Sequence, residues 1–163
     1  MKLIIPFLIL FTFLFTVGNP ENIEFSEWEL VVANHQFPEG ITYNHNGILY
    51  SSNCNGNWIT RISETKIDTF LLASDSTFQK TNGMLALPDG SILAADFGKG
   101  AILKIYKNGK TEILLDGYNK KRFNKPNDLT LDKNGNLFFS EPNTWDQKFM
   151  MEEFFIIIFL QKL

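Results

Sequence analysis

The chain has 163 residues, of which 44% are hydrophobic and 20% charged, and its net charge is -3. That length is enough for one domain. No basic block stands out, so the electrostatic footprint of nucleic-acid binding is missing, and a single cysteine, Cys54, excludes an internal disulfide framework.

Residues 1–18 read as a secretory signal peptide. Lys2 supplies the positive start, Leu3 to Phe15 is almost continuously apolar, and Thr16-Val17-Gly18 offers small residues for cleavage after Gly18. An uncleaved membrane anchor is the alternative, because the run is nearly long enough to span. The polar, helix-breaking Gly18-Asn19-Pro20 favours cleavage. The chain is therefore expected to be secreted or extracytoplasmic, with no stable membrane span once the leader is removed. No Asn-x-Ser/Thr acceptor is present.

From residue 19 to residue 145 the chain repeats. In the first repeat, Ile41-Thr42-Tyr43 precedes the turn Asn46-Gly47, and Ile48-Leu49-Tyr50-Ser51-Ser52 follows it. In the second, Met84-Leu85-Ala86 and Ser91-Ile92-Leu93-Ala94-Ala95 flank Asp89-Gly90. In the third, Leu129-Thr130-Leu131 and Asn136-Leu137-Phe138-Phe139-Ser140 flank Asn134-Gly135. Apolar runs of this length around Asn-Gly or Asp-Gly predict hairpins, with both central residues at positive φ. Two further strands follow in the first two repeats. Ile59–Ile62 matches Ile102–Ile105, and Thr69–Leu72 matches Glu112–Leu115.

Four short strands in about 44 residues is the signature of one propeller blade. Such a blade exposes both faces until neighbours stack on it. Parallel α/β organisation is excluded by the lack of amphipathic helical windows; a β-sandwich stays open but would not require this register. The fold class is therefore all-β, an incomplete β-propeller of about three four-stranded blades, where a closed ring takes roughly four to eight. Exposed strand edges in such a piece predict self-association. Between strands, Cys54 and Asn55 are placed in a polar loop, and Lys120-Lys121-Arg122 in a solvated loop between blades.

The third repeat breaks off after Ser140-Glu141-Pro142. Residues 146–163 do not continue the pattern, and Met150 to Leu160 has a different, apolar composition. This divergent tail is too short to span a bilayer. It is read as a strand, a buried helix end or a terminus non-native to the fold, and the last, from shifted or unrelated coding sequence, is favoured.

One position of the repeat carries a side-chain oxygen each time. Glu39, Asn82 and Asn127 each lie eight residues before the turn glycine, at spacings of 43 and 45. If each repeat is one unit around a common axis, these oxygens converge, as a hard cation such as calcium requires. Ordinary turn chemistry explains an Asn before Gly or Asp equally well.

The stretch Phe123-Asn124-Lys125-Pro126-Asn127-Asp128, running on to Phe138-Phe139-Ser140-Glu141-Pro142, resembles the Pro-Asn-Asp segment of the senescence-marker-protein/gluconolactonase family. Phe37-Pro38-Glu39-Gly40 is similar to that family's first-blade glutamate motif, and Thr81-Asn82-Gly83 to its second-blade asparagine motif. The resemblance covers about residues 24–145. It implies a six-bladed propeller, a divalent cation (commonly calcium) in the central channel, and hydrolysis of a small lactone or ester. By resemblance Glu39 is the charged metal ligand and Asn127 an amide ligand. Asn82 meets the same metal or the substrate, and Asp128 stands close by and orients the loop. The family also uses an aspartate from a later blade, which this sequence does not contain. A non-catalytic, propeller-like interaction protein is the alternative.

Overall fold

The computed structural model describes residue 27, residues 29–142 and the backbone of 154–159. The chain divides into Met1–Val31 and Val32–Leu163. The expected signal peptide lies outside the described residues.

Among the described residues, thirteen strands form the second unit. In the first sheet, β1 (Ile41–Tyr43), β2 (Leu49–Ser52), β3 (Trp58–Ile62) and β4 (Ile67–Leu72) pair antiparallel in chain order. The second sheet repeats that order with β5 (Thr81–Ala86), β6 (Ile92–Asp96), β7 (Ala101–Ile105) and β8 (Thr111–Leu115). A small hairpin follows, β9 (Gly117–Tyr118) with β10 (Lys121–Arg122). The third sheet comprises β11 (Leu129–Leu131), β12 (Leu137–Pro142) and β13 (Phe154–Phe159). Among the described residues there is no helix, and the expected all-β class holds.

The hairpins form at the predicted glycines, but with a different turn. Leu87 N donates to Ser91 O and Gly90 N to Leu87 O, each at 2.8 Å, which closes a three-residue loop. Only Gly90 has positive φ there, at 79°. This is a type I turn followed by a left-handed bulge residue, rather than a two-residue turn. Asp89 contributes by accepting from Ser91 N through Oδ1 at 2.8 Å. A two-residue loop with both φ positive does occur, at Asn119 (48°) and Lys120 (66°). It turns the segment read as a solvated loop into the β9–β10 hairpin.

The tail contributes backbone to the third sheet. β13 pairs with β12 from Leu137↔Phe159 to Pro142↔Phe154. It takes the place that β3 and β7 hold in the other sheets. It begins 19 residues after its turn glycine (154 − 135), where β3 and β7 begin 11 after theirs (58 − 47 and 101 − 90).

Packing explains the composition of the middle sheet. Tyr50, Ile59 and Phe70 of the first sheet pack on Met84, Ile92, Ala94, Leu103 and Ile105 of the second. Leu93, Ala95 and Ile102, on its opposite face, pack on Leu129, Leu137 and Phe139 of the third. A sheet covered on both faces has no polar face to keep, so β6 and β7 read as continuous apolar runs. Ile92, Leu93, Ile102, Leu103 and Ile105 are 1% exposed or less. Each contributes about 1.5–3 kcal/mol by leaving water.

The first strands of successive sheets approach closely. Thr42 Oγ1 in β1 accepts from Ala86 N in β5 at 2.8 Å. A Cβ on Gly40 would collide with the backbone of Asn82 to Met84, so only glycine permits this contact. Gly40→Ala is expected to push β1 off β5 and cost about 1–3 kcal/mol. A urea unfolding midpoint unchanged from the parent chain would mean that the two strands do not meet as described.

Candidate metal site

β5 opens with a bulge that sets the central residue of the site. Its ladder runs Thr81↔Asp96 and then Met84↔Ala94, so Asn82 and Gly83 together oppose Ala95. Two residues facing one frees backbone groups and re-aims side chains. The freed Gly83 N donates to Asn127 O at 2.8 Å. Gly83 lies against Asp128, whose carboxylate occupies the space a Cβ would need. The lead-in to β1, the bulge of β5 and the lead-in to β11 therefore form a row of touching backbones. Glu39, Asn82 and Asn127 sit at equivalent places along that row.

The structure places these residues in different environments. Asn82 is 5% exposed, and its Oδ1 has no hydrogen-bond partner among the described residues. Asn127 is half-buried; its N donates to Ser140 O at 2.9 Å. Glu39 is exposed, as is Asp128. Asp128 Oδ1 accepts from Leu129 N at 2.8 Å, and Asp128 N donates to Ser140 Oγ at 3.0 Å, which fixes the loop.

The orphaned amide oxygen of Asn82 bears on the expected cation. A buried acceptor without a donor costs about 1–3 kcal/mol unless something else satisfies it. An oxygen ligand to a hard cation is such a use, and one carboxylate with two amides is a chemically suitable set. The residues fit a divalent cation of the calcium type. Among the described residues no group of three or more His, Cys, Asp or Glu is gathered.

A second repeating set holds the first in place. Fourteen residues after Glu39, Asn82 and Asn127 come Asn53, Asp96 and Glu141. Each binds backbone three residues or two before its partner position. Asn53 Oδ1 accepts from Gln36 N at 2.9 Å. Asp96 Oδ2 accepts from Gln79 N at 2.6 Å, while its Oδ1 accepts from Lys80 N and Gly98 N at 2.9 Å and Lys99 N at 3.1 Å. Glu141 Oε1 accepts from Asn124 N at 2.7 Å and Lys125 N at 2.6 Å. The segment that delivers each candidate ligand is thus anchored by a buried side chain at the end of the sheet's second strand. Sequence reasoning missed this set, although its spacing of 43 and 45 was there to find.

Cys54 lies in the polar loop between β2 and β3, as expected, and is 7% exposed there; its N donates to Phe37 O at 3.0 Å beneath the lead-in to β1. Burial pushes its thiol up, and the nearby Glu39 charge adds to that while Lys80 opposes it. A thiol held protonated is a poor nucleophile.

The comparisons agree with one another. Residues 37–152 match the model of the SMP-30/gluconolactonase/LRE-like region. A curated gluconolactonase from Zymomonas mobilis is 43% identical over 63 residues, covering 38% of this chain and 18% of that protein. A solved gluconolactonase from Xanthomonas campestris superposes with a TM-score of 0.60 at 25% identity, over 66% of this chain and 36% of the other. Regucalcin from Agrobacterium tumefaciens, a calcium-binding protein, has a TM-score of 0.57 at 15% identity, over 72% of this chain and 42% of that one. At that identity the likeness shows the fold, which is of the propeller type. The chain thus spans well under two thirds of the length of the relatives it matches.

Two outcomes test the anchors. Asp96→Ala strands four N–H groups and is expected to lose about 3 kcal/mol or more in urea unfolding, with Asp96→Asn losing less because amide oxygen remains. Glu141 titrates in the opposite sense to a salt-bridged acid. Burial raises its carboxyl above the ordinary 4.5, with the two backbone N–H donors opposing. The folded state therefore holds this proton more tightly than the unfolded chain. The associated stability is complete below 4.5 and is lost as pH rises through the raised folded value. Urea midpoints taken across this range should fall with rising pH less steeply for Glu141→Gln than for the parent.

Proposed function

We propose a function from one premise: the chain belongs to the SMP-30/gluconolactonase/LRE-like family. On that premise it is a calcium-dependent hydrolase of a small lactone or ester. It supplies about three blades of a six-bladed propeller and is exported through the leader at residues 1–18. Glu39, Asn82 and Asn127 hold the cation, with Asn82 placed to meet substrate as well. The observation that carries the reading is Asn82 Oδ1, buried and unpartnered among the described residues at a point where three lead-in backbones touch.

When bound, the cation would polarise the lactone carbonyl and stabilise the oxyanion formed on attack. The chain's own residues do the rest. Glu39 supplies the only negative charge among the three donors, so the ion keeps net positive charge toward the substrate. The buried amide of Asn82 offers an oriented oxygen that water does not screen. Asp128, tied to Leu129 N and Ser140 Oγ, keeps the Asn127 loop from shifting. Glu39 and Asp128 are the two carboxylates here that could accept a proton from the attacking water.

The second reading, a non-catalytic propeller-like interaction module, is favoured by the exposure of Glu39, the one charged residue among the three candidate ligands. Self-association through open sheet edges belongs to either reading.

The test is thermal melting of the purified chain with and without calcium, beside a lactone-hydrolysis assay. Calcium at a hundredfold excess over Kd is expected to add about 2.7 kcal/mol of stability. Glu39→Gln and Asn82→Ala should remove most of that gain. Stabilisation without turnover selects the interaction module; no stabilisation sinks the metal site.

A further inference from the structure

Asparagine stands directly before glycine at Asn46-Gly47, Asn55-Gly56, Asn82-Gly83, Asn108-Gly109 and Asn134-Gly135. This dipeptide rearranges without an enzyme. The glycine nitrogen gives its proton to solvent and attacks Cγ of the asparagine. The bond from Cγ to the side-chain nitrogen breaks, ammonia leaves, and a succinimide ring closes. Water then opens the ring at either carbonyl, giving aspartate or its β-linked isomer. Glycine suits the step because it has no side chain to hinder the ring. The step also needs a glycine nitrogen not tied to a carbonyl, room for the ring, and a side-chain amide that nothing holds elsewhere.

Four of these pairs lack one or more of those conditions. Gly83 N donates to Asn127 O at 2.8 Å, and Asn82 is buried. Gly56 N donates to Asn53 O at 2.9 Å, and the side chains of Asn53 and Trp58 crowd it. Gly109 N donates to Tyr106 O at 2.8 Å, while Asn108 Oδ1 accepts from Lys110 N at 3.0 Å. Gly135 N donates to Asp132 O at 3.0 Å, and Asn134 Nδ2 donates to Asp132 Oδ2 at 3.5 Å.

Asn46-Gly47 is built differently. In the second and third sheets the turn glycine closes its loop on a backbone carbonyl, that of Leu87 or Asp132. Gly47 N donates instead to the Tyr43 hydroxyl, at 3.2 Å on the exposed surface. Asn44 holds this turn, its Oδ1 accepting from Asn46 N at 2.9 Å and Ile48 N at 3.1 Å. His45 takes positive φ, at 59°, within it. Asn46 and Gly47 are both exposed, and apart from its chain neighbours no atom lies within 4 Å of where a Cβ on Gly47 would stand. Among the described residues the Asn46 side chain makes no hydrogen bond. The turn also accommodates the product: the second sheet has Asp89 at the same position, its Oδ1 accepting from Ser91 N at 2.8 Å.

We propose that Asn46 is a site of self-modification in the folded chain, converting to aspartate and isoaspartate ahead of the other four asparagines. The conversion adds a negative charge to a chain whose net charge is -3. Glu39 and Asn46 flank β1 at opposite ends, so the site is separate from the candidate metal site and stands whatever calcium does to the melting temperature.

The whole chain, held at mildly alkaline pH in heavy-oxygen water and then digested for peptide mass spectrometry, tests this. Heavy oxygen marks only conversions that occur in the tube. Asn46 is expected to convert at least about fivefold faster than Asn108 and Asn134, the factor imposed by opening one backbone hydrogen bond. Asn82 should be slowest, since its conversion waits on local opening of the sheet. In guanidinium chloride the five rates should draw together, because the unfolded chain makes none of these distinctions. Asn46→Gln, at an exposed position, should keep the parent's urea midpoint and abolish the leading product. Equal rates for the five in the folded chain overturn the proposal. So does Asn108 or Asn134 converting first, or a lead for Asn46 that survives unfolding.

Discussion

Successive sheets meet backbone to backbone at their first strands. Gly40 lies on Asn82 to Met84, and Gly83 lies on Asn127 and Asp128 with a hydrogen bond of 2.8 Å to Asn127 O. The spacing of the sheets at their inner ends is set there, because no side chain separates them. Everything else tolerates that spacing. The small residues Ala94, Ala95 and Ala101 line the second sheet where its neighbours come near, and larger side chains fill the space farther out. The candidate site follows from the same constraint, since Glu39, Asn82 and Asn127 branch from this row.

Rigidity reaches the site from the C-terminal ends of the sheets' second strands, which lie beside the lead-ins. Asn53, Asp96 and Glu141 are 7% exposed or less, and each grips backbone shortly before a candidate ligand. Buried acceptors of this kind are stable because N–H groups answer them; Asp96 has four. Glu141 is less well provided, since its Oε2 has no partner among the described residues. The longer side chain at this third position reaches its two donors with one oxygen and leaves the other buried.

Much of this was legible in the sequence, for identifiable reasons. Strands β1 to β8, β11 and β12 appear where apolar runs meet Gly turns, because those runs bury at least one face and the turns fix their ends. The family assignment rested on contiguous motifs around Glu39 and Asn127, which local sequence carries well. What could not be read depended on partners distant in the chain. The bulge at Asn82-Gly83 exists because Gly83 reaches across to Asn127. The burial of Cys54 depends on Phe37 passing over it. The hairpin at Asn119-Lys120 uses two non-glycine residues at positive φ, which composition does not advertise. β13 finds β12 through a ladder of six pairs that no spacing rule foretold.

The doubly covered second sheet also bears on how the chain emerges during synthesis. When β8 has left the ribosome and β11 has not, the first sheet can already shelter Met84, Ile92 and Leu103. Leu93, Ala95 and Ile102 still face solvent, with nothing yet synthesised to cover them. The nascent chain thus passes through an interval with a sticky, nearly flat apolar surface, the kind of species that chaperones engage. The interval ends only after the β9–β10 hairpin and the Phe123 loop have followed, which makes the pace of translation between residues 116 and 139 a determinant of yield.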